Sequence, residues 1–128
     1  MLKRILIVDD SKIVRQLVRT YVETRLDYIV CEEAVDGPHA IQRAEGVRVD
    51  LIVLDLCMPI MNGLEAAAIL HGRFPRLPII LYTLHKEVVS EKSARAVGIR
   101  ALVSKTDSVD VLLEEILNFV GIVKAATA

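Results

Sequence analysis

The sequence predicts a doubly wound α/β domain on a five-stranded parallel sheet. Short β-branched runs alternate with longer amphipathic stretches along the whole chain. The run Leu51-Ile52-Val53-Leu54 is apolar at every position, as expected for a central strand covered on both faces. Four of the runs stop at a polar or charged residue, which places polar chemistry at one edge of such a sheet.

The first strand is Ile5-Leu6-Ile7-Val8, ending at Asp9-Asp10, and Ser11 is placed to cap the helix that follows. In that helix Ile13, Val14, Leu17, Val18, Tyr21 and Val22 recur at helical spacing, with Lys12, Arg15, Gln16 and Arg19 between them. Tyr28-Ile29-Val30-Cys31 reads as the second strand. Asp36-Gly37-Pro38 turns the chain into a second helix over 38–46. Asp50 leads into the third strand, 51–54, which ends at Asp55. Met58-Pro59 breaks the chain and Asn62-Gly63 turns it into a helix over 64–72. Pro75 and Pro78 bracket a loop before Ile79-Ile80-Leu81-Tyr82, the fourth strand, which ends at Thr83. A helix over 86–97 stops at Gly98. Ala101-Leu102-Val103-Ser104 is the fifth strand, ending at Lys105, and a last helix spans 108–120. The first and third strands are the most apolar and belong at the centre, which with right-handed crossovers gives the order 2-1-3-4-5. A site then forms beyond the strand ends, at the switch point between strands one and three.

The chain has 128 residues, with one domain expected over 1–121 and a tail or linker start at 122–128. Hydrophobic residues at 53% exclude a disordered chain. A net charge of −1 and 4% aromatics supply neither the electrostatic footprint nor the stacking surface of a nucleic-acid binder. No apolar run is long enough for a membrane span, and the start enters a strand directly, without a signal-peptide pattern. Cys31 and Cys57 form no CxxC or metal spacing and read as buried free thiols in a reducing compartment. A cytoplasmic domain is expected.

The strand ends gather Asp9, Asp10, Asp55, Thr83 and Lys105 around one shallow pocket. Carboxylates that close repel one another, and a divalent cation relieves the repulsion. Mg²⁺ takes oxygen ligands and is commonly held by one or two carboxylates plus a phosphate. A carboxylate can be the nucleophile that forms an aspartyl phosphate. An ammonium and a hydroxyl can then contact the phosphoryl oxygens. Singly, each residue has an ordinary explanation as a cap, a turn or a surface charge; their joint occurrence at four strand ends points to a phosphate site.

The chain resembles a response-regulator receiver domain over essentially its whole length. Ile5-Leu6-Ile7-Val8-Asp9-Asp10-Ser11 resembles that family's first strand and acidic pair. Asp55-Leu56-Cys57-Met58-Pro59-Ile60-Met61-Asn62-Gly63 resembles its phosphorylation-site loop, and Thr83 and Ser104-Lys105 fall where its switch hydroxyl and lysine fall. The resemblance implies a flavodoxin-like fold and a signalling switch of a two-component phosphorelay. Asp55 would accept a phosphoryl group from a sensor histidine kinase or phosphotransfer protein. Asp10, Asp55 and the Cys57 backbone carbonyl would hold Mg²⁺, with Asp9 acting through a metal-bound water. Thr83 and Lys105 would contact the phosphoryl oxygens. The domain would catalyse its own phosphorylation and dephosphorylation, without a diffusible product, and its partner would dock near Ile13, Val14 and Leu17.

Four positions depart from the family's preferences. Leu84 replaces a small residue after the switch hydroxyl, where it would crowd the route to Asp55. His85 either modulates the attacking water or lies on the surface. Leu102 replaces the switch aromatic. Thr106 replaces the proline after the lysine, so the Lys105–Thr106 bond is either trans with a shifted loop or a strained cis bond. The very apolar last helix suggests a homodimer through the fourth and fifth helices. A phosphorylation-independent interaction module is the competing function. A dehalogenase-like phosphatase is disfavoured by Cys57 where a second Asp is usual, and flavin binding by Asp-Asp-Ser where a phosphate cradle is needed.

Overall fold

The computed structural model describes residues 2–121; the expected 122–128 tail lies outside them. The elements run β1 (Lys3–Val8), α1 (Lys12–Arg25), β2 (Ile29–Ala34), α2 (Gly37–Gly46), β3 (Leu51–Leu54), α3 (Gly63–Arg73), β4 (Ile79–Thr83), a 3₁₀ turn (Lys86–Val88), α4 (Glu91–Ala96), β5 (Ile99–Ser104) and α5 (Val109–Val120). All strand pairs are parallel and the order is β2-β1-β3-β4-β5. This is the doubly wound, flavodoxin-like arrangement expected from the sequence.

Side chains on a strand alternate between faces, so each central strand feeds two cores. Leu6, Val8, Ile52, Leu54, Ile79 and Leu81 pack against Ala40 and Ala44 of α2, Ala66, Ala67 and Leu70 of α3, and Ala94 of α4. Ile5, Ile7, Leu51, Val53, Ile80 and Tyr82 pack against Val18 and Val22 of α1 and Leu112, Leu113 and Ile116 of α5. Alanine on the first set of helices lets them lie close to the sheet. The surplus apolar residues of α5 are mostly absorbed in this way. Val109, Leu117, Phe119 and Val120 are half-buried against the second core, while Val111 is exposed.

The largest correction concerns the 86–97 helix. The chain makes a 3₁₀ turn at Lys86–Val88, breaks at Val89–Ser90, and restarts as a six-residue helix capped by the Ser90 hydroxyl. A serine that accepts its own N3 amide competes with helix continuation, which a periodicity reading cannot see. Gly98 does end this segment, at φ 88°, with the His71 ring packed where a side chain would stand. β2 extends three residues past Cys31, to Ala34, and β5 begins at Ile99. The Lys105–Thr106 bond is trans, not the strained cis form.

The segment after β3 is fixed by close backbone approach. Gly63 N–H donates to the Leu56 carbonyl at 2.7 Å, and a Cβ on Gly63 would lie 2.3 Å from the Asp55 carbonyl oxygen and 2.9 Å from Leu56 Cα. Backbone atoms cannot swing aside as a side chain can. Gly63→Ala is expected to cost about 3 kcal/mol in urea unfolding, the upper end for overpacking.

Candidate metal and phosphoryl site

The acidic pair stands where β1 runs out. Asp9 N–H still pairs with the Ala34 carbonyl at 3.1 Å, and Asp55 N–H with the Val8 carbonyl at 2.9 Å. These two bonds carry the sheet's spacing into the loops and set the carboxylates side by side. Asp9 Oδ1 accepts from Ser11 N–H at 2.9 Å, closing a tight turn into α1, whose first turn the Ser11 hydroxyl caps by accepting from Val14 N–H at 3.3 Å. Asp55 Oδ1 accepts from Leu56 N–H at 2.8 Å. Asp9 and Asp55 are buried and Asp10 is exposed.

Lys105 enters from the end of β5. Its Nζ lies 2.6 Å from Asp9 Oδ2 and 3.3 Å from Asp55 Oδ1. Its own amide donates to the Thr83 carbonyl at 2.9 Å, which ties the two loops together. Burial works against the Lys105 charge, but the Asp9 hydrogen bond and the Asp55 charge outweigh it and hold its pKa above the ordinary value. Burial, reinforced by the neighbouring Asp9 charge, pushes the Asp55 carboxyl up, and Lys105 offsets this only in part. Thr83 is fully buried, and its Oγ1 accepts from His85 N–H at 3.1 Å.

One carboxylate oxygen from each of Asp9, Asp10 and Asp55 lies within 4.8 Å of the others. An all-oxygen donor set, open to solvent on the Asp10 side, fits Mg²⁺ better than a thiolate- or imidazole-seeking metal. The sequence-picked residues Asp9, Asp10, Asp55 and Lys105 therefore come together. Leu84 and His85 are both exposed, on the loop after β4, and Leu102 is half-buried against the α3/α4 core.

Two sequence expectations are corrected. Cys57 is exposed and only Cys31 is buried, because Cys57 sits in the loop beyond the sheet. Burial pushes the Cys31 thiol up to about 12 and keeps it protonated. A thiol reagent should titrate Cys57 alone in the native protein and both cysteines after denaturation. The other miss is Arg15, placed among the polar positions of α1 but buried beside Val18 and Val22. The signal was available: positions 15, 18 and 22 share one helical face.

Arg15 Nε donates to Glu33 Oε1 at 2.9 Å, and Arg19 Nη1 donates to Glu33 Oε2 at 2.9 Å. Burial raises the Glu33 carboxyl, yet these arginine hydrogen bonds outweigh it and hold it below the ordinary carboxylate value. The ionised form is therefore the one folding favours. Its contribution is present above the ordinary value of 4.5 and is lost as pH falls through the lower folded value. Glu33→Gln is expected to cost about 1–2 kcal/mol at neutral pH, with the gap to wild type closing on acidification below that range, measured by urea unfolding.

Fold and site together define a doubly wound α/β domain with a cation-binding acidic pocket at its switch point. The chain belongs to the response regulator receiver domain family, whose model it matches over residues 5–117. It is 29% identical over 118 residues to Protein CcdB of Bacillus subtilis, covering 92% of this chain and 98% of that protein. It is 32% identical over 99 residues to a protein-glutamate methylesterase/protein-glutamine glutaminase of Pyrococcus abyssi, covering 77% of this chain but 27% of that protein. The chain thus spans about a quarter of the length of such methylesterase relatives. The crystal structure of response regulator protein TrrA from Thermotoga maritima, in complex with Mg²⁺-BeF, superposes with a TM-score of 0.84 at 28% identity, covering 93% of this chain and all of that one. As a receiver domain, this chain is a phosphorylation-controlled signalling domain that undergoes its own phosphorylation and dephosphorylation.

Proposed function

We propose that Asp55 is the phosphoacceptor and that the donor is a phosphohistidine on a sensor histidine kinase or phosphotransfer protein. The observation that carries this reading is the meeting of Asp9, Asp10 and Asp55 within 4.8 Å, with Lys105 Nζ 3.3 Å from Asp55. Asp10, Asp55 and the Cys57 backbone carbonyl would hold Mg²⁺, with Asp9 acting through a metal-bound water. When bound, the ion neutralises charge on the incoming phosphoryl group. An Asp55 carboxylate oxygen attacks phosphorus, the bond to the histidine nitrogen breaks, and the imidazole leaves with the electron pair. Lys105 moves its ammonium from Asp9 to a phosphoryl oxygen, and Thr83, whose Oγ1 accepts from His85 N–H, donates its O–H to another. Each contact draws the end of a strand toward Asp55.

Leu84 and His85 stand on the loop next to Thr83 and modulate access of donor and water. Leu102 occupies the switch-aromatic position, which argues against an aromatic-gated mechanism. Ile13 and Leu17 are exposed on α1 while Val14 packs inward, which supports partner docking on that face. Self-association through α4 and α5 has a surface available, a groove of about 660 Å³ between α4, β5 and Glu115. Among the described residues no helix is long and apolar enough to cross a membrane.

The test is intact mass after incubation with Mg²⁺ and acetyl phosphate, and separately with a phosphorylated phosphotransfer protein. One added phosphoryl group that requires Mg²⁺ is expected. No adduct from either donor would overturn the assignment in favour of a phosphorylation-independent interaction module.

A further inference from the structure

We propose that Arg15 is a positioning residue for the metal site, fixing the peptide between Asp9 and Asp10 and with it the Asp10 carboxylate. This rests on the Mg²⁺ reading above. Arg15 is 9% exposed on the core face of α1, and its guanidinium has to be held by acceptors, because water cannot reach it freely. One acceptor is Glu33, at 2.9 Å. The other is the Asp9 carbonyl oxygen, which Arg15 Nη1 reaches at 2.7 Å in a buried bond.

That carbonyl is one the sheet leaves over. Asp9 N–H pairs with Ala34, the last residue of β2. In a parallel ladder the carbonyl's partner would be the Asp36 N–H, but β2 has ended at Ala34 and Asp36 already caps α2. Arg15 therefore takes the place of a strand partner just where the strand partner ends. Glu33 holds the guanidinium from one side and is itself held by Arg19. β2 thus governs both backbone groups of Asp9, one through Ala34 and one through Glu33 and Arg15.

The consequence falls on Asp10. The peptide unit is planar, so holding the Asp9 oxygen also orients the Asp10 N–H and Cα. Asp9 and Asp55 have further restraints, from Ser11, Leu56 and Lys105. Asp10 is exposed, and its carboxylate makes no hydrogen bond or ion pair among the described residues. Its place beside the other two carboxylates is set by its backbone, and Arg15 holds that backbone. Lysine cannot substitute, because a point charge does not span two acceptors as the guanidinium fork does.

The experiment is calorimetric Mg²⁺ titration of wild type, Arg15→Met, Arg15→Lys and Arg19→Met, with urea unfolding of each in EDTA. Both Arg15 variants are expected to bind Mg²⁺ at least about tenfold more weakly, the usual loss when a group orienting a ligand is removed. Their phosphorylation rate should recover at saturating Mg²⁺. Arg19→Met, which leaves both bonds of Arg15 in place, should lose much less affinity than either Arg15 variant. A folded Arg15 variant with wild-type Mg²⁺ affinity and only a lower stability would overturn the proposal. If neither Arg15 variant folds, Glu33→Gln, which loosens the guanidinium, must weaken Mg²⁺ binding or the proposal fails. Wild type that binds no Mg²⁺ would instead overturn the site reading itself.

Discussion

Asp55→Asn is expected to take up no phosphoryl group from any donor, while remaining folded and gaining stability in Mg²⁺-free buffer. The loss follows from chemistry, since an amide oxygen does not form the acyl phosphate that a carboxylate forms. The retained fold follows from geometry. The side-chain amide oxygen of Asn can still accept from Leu56 N–H, and Lys105 still has Asp9 at 2.6 Å. The stability gain follows from the sign of the pKa shift. Burial and Asp9 hold the Asp55 carboxyl above its ordinary value, so folding favours its neutral form. The ionised carboxylate therefore works against the fold, and a neutral amide removes that penalty. Intact mass reads the first effect and urea unfolding in EDTA the second. An adduct on Asp55→Asn would move the acceptor to another residue, and a loss of stability would contradict the electrostatic reading of the pocket.

Lys105→Met is the second large effect. Its ammonium lies between two buried carboxylates, and removing it leaves Asp9 and Asp55 facing one another without compensation. A fully buried pair broken in this way costs more, but the pocket opens to solvent beside Asp10. A loss of about 2 kcal/mol in EDTA is expected. Mg²⁺ should restore more stability to this variant than to wild type, because the ion then takes over the charge compensation that Lys105 supplied between Asp9 and Asp55. Phosphorylation is expected to fall by about 10²–10³ even at saturating Mg²⁺, the usual loss when one charged contact to a reacting oxyanion is removed. A rate restored fully by Mg²⁺ would limit Lys105 to holding the empty pocket together.

Much of this was legible in the chain itself. The strands declare themselves by short β-branched runs, and the apolar run 51–54 identifies a strand buried on both faces. Strand order and connection handedness then bring Asp9, Asp10, Asp55 and Lys105 to one edge without any coordinates. Local patterns served less well where a side chain competes with backbone pairing. Ser90 caps its own short helix and splits what periodicity reads as one element.

What the sequence determined by itself was therefore the fold, the site's location and its donor chemistry, because periodicity and strand-end identity are local properties. The tertiary structure alone decided which polar groups are buried and what they hold. Arg15 shares a helical face with Val18 and Val22, but only the end of β2 at Ala34 leaves the Asp9 carbonyl for it to take. Cys57 looks like a buried thiol by composition, yet it stands outside because the chain has already left the sheet at Leu54. The Arg15 contact depends on where the neighbouring β2 stops, a relation between segments distant in sequence that no single stretch of residues encodes.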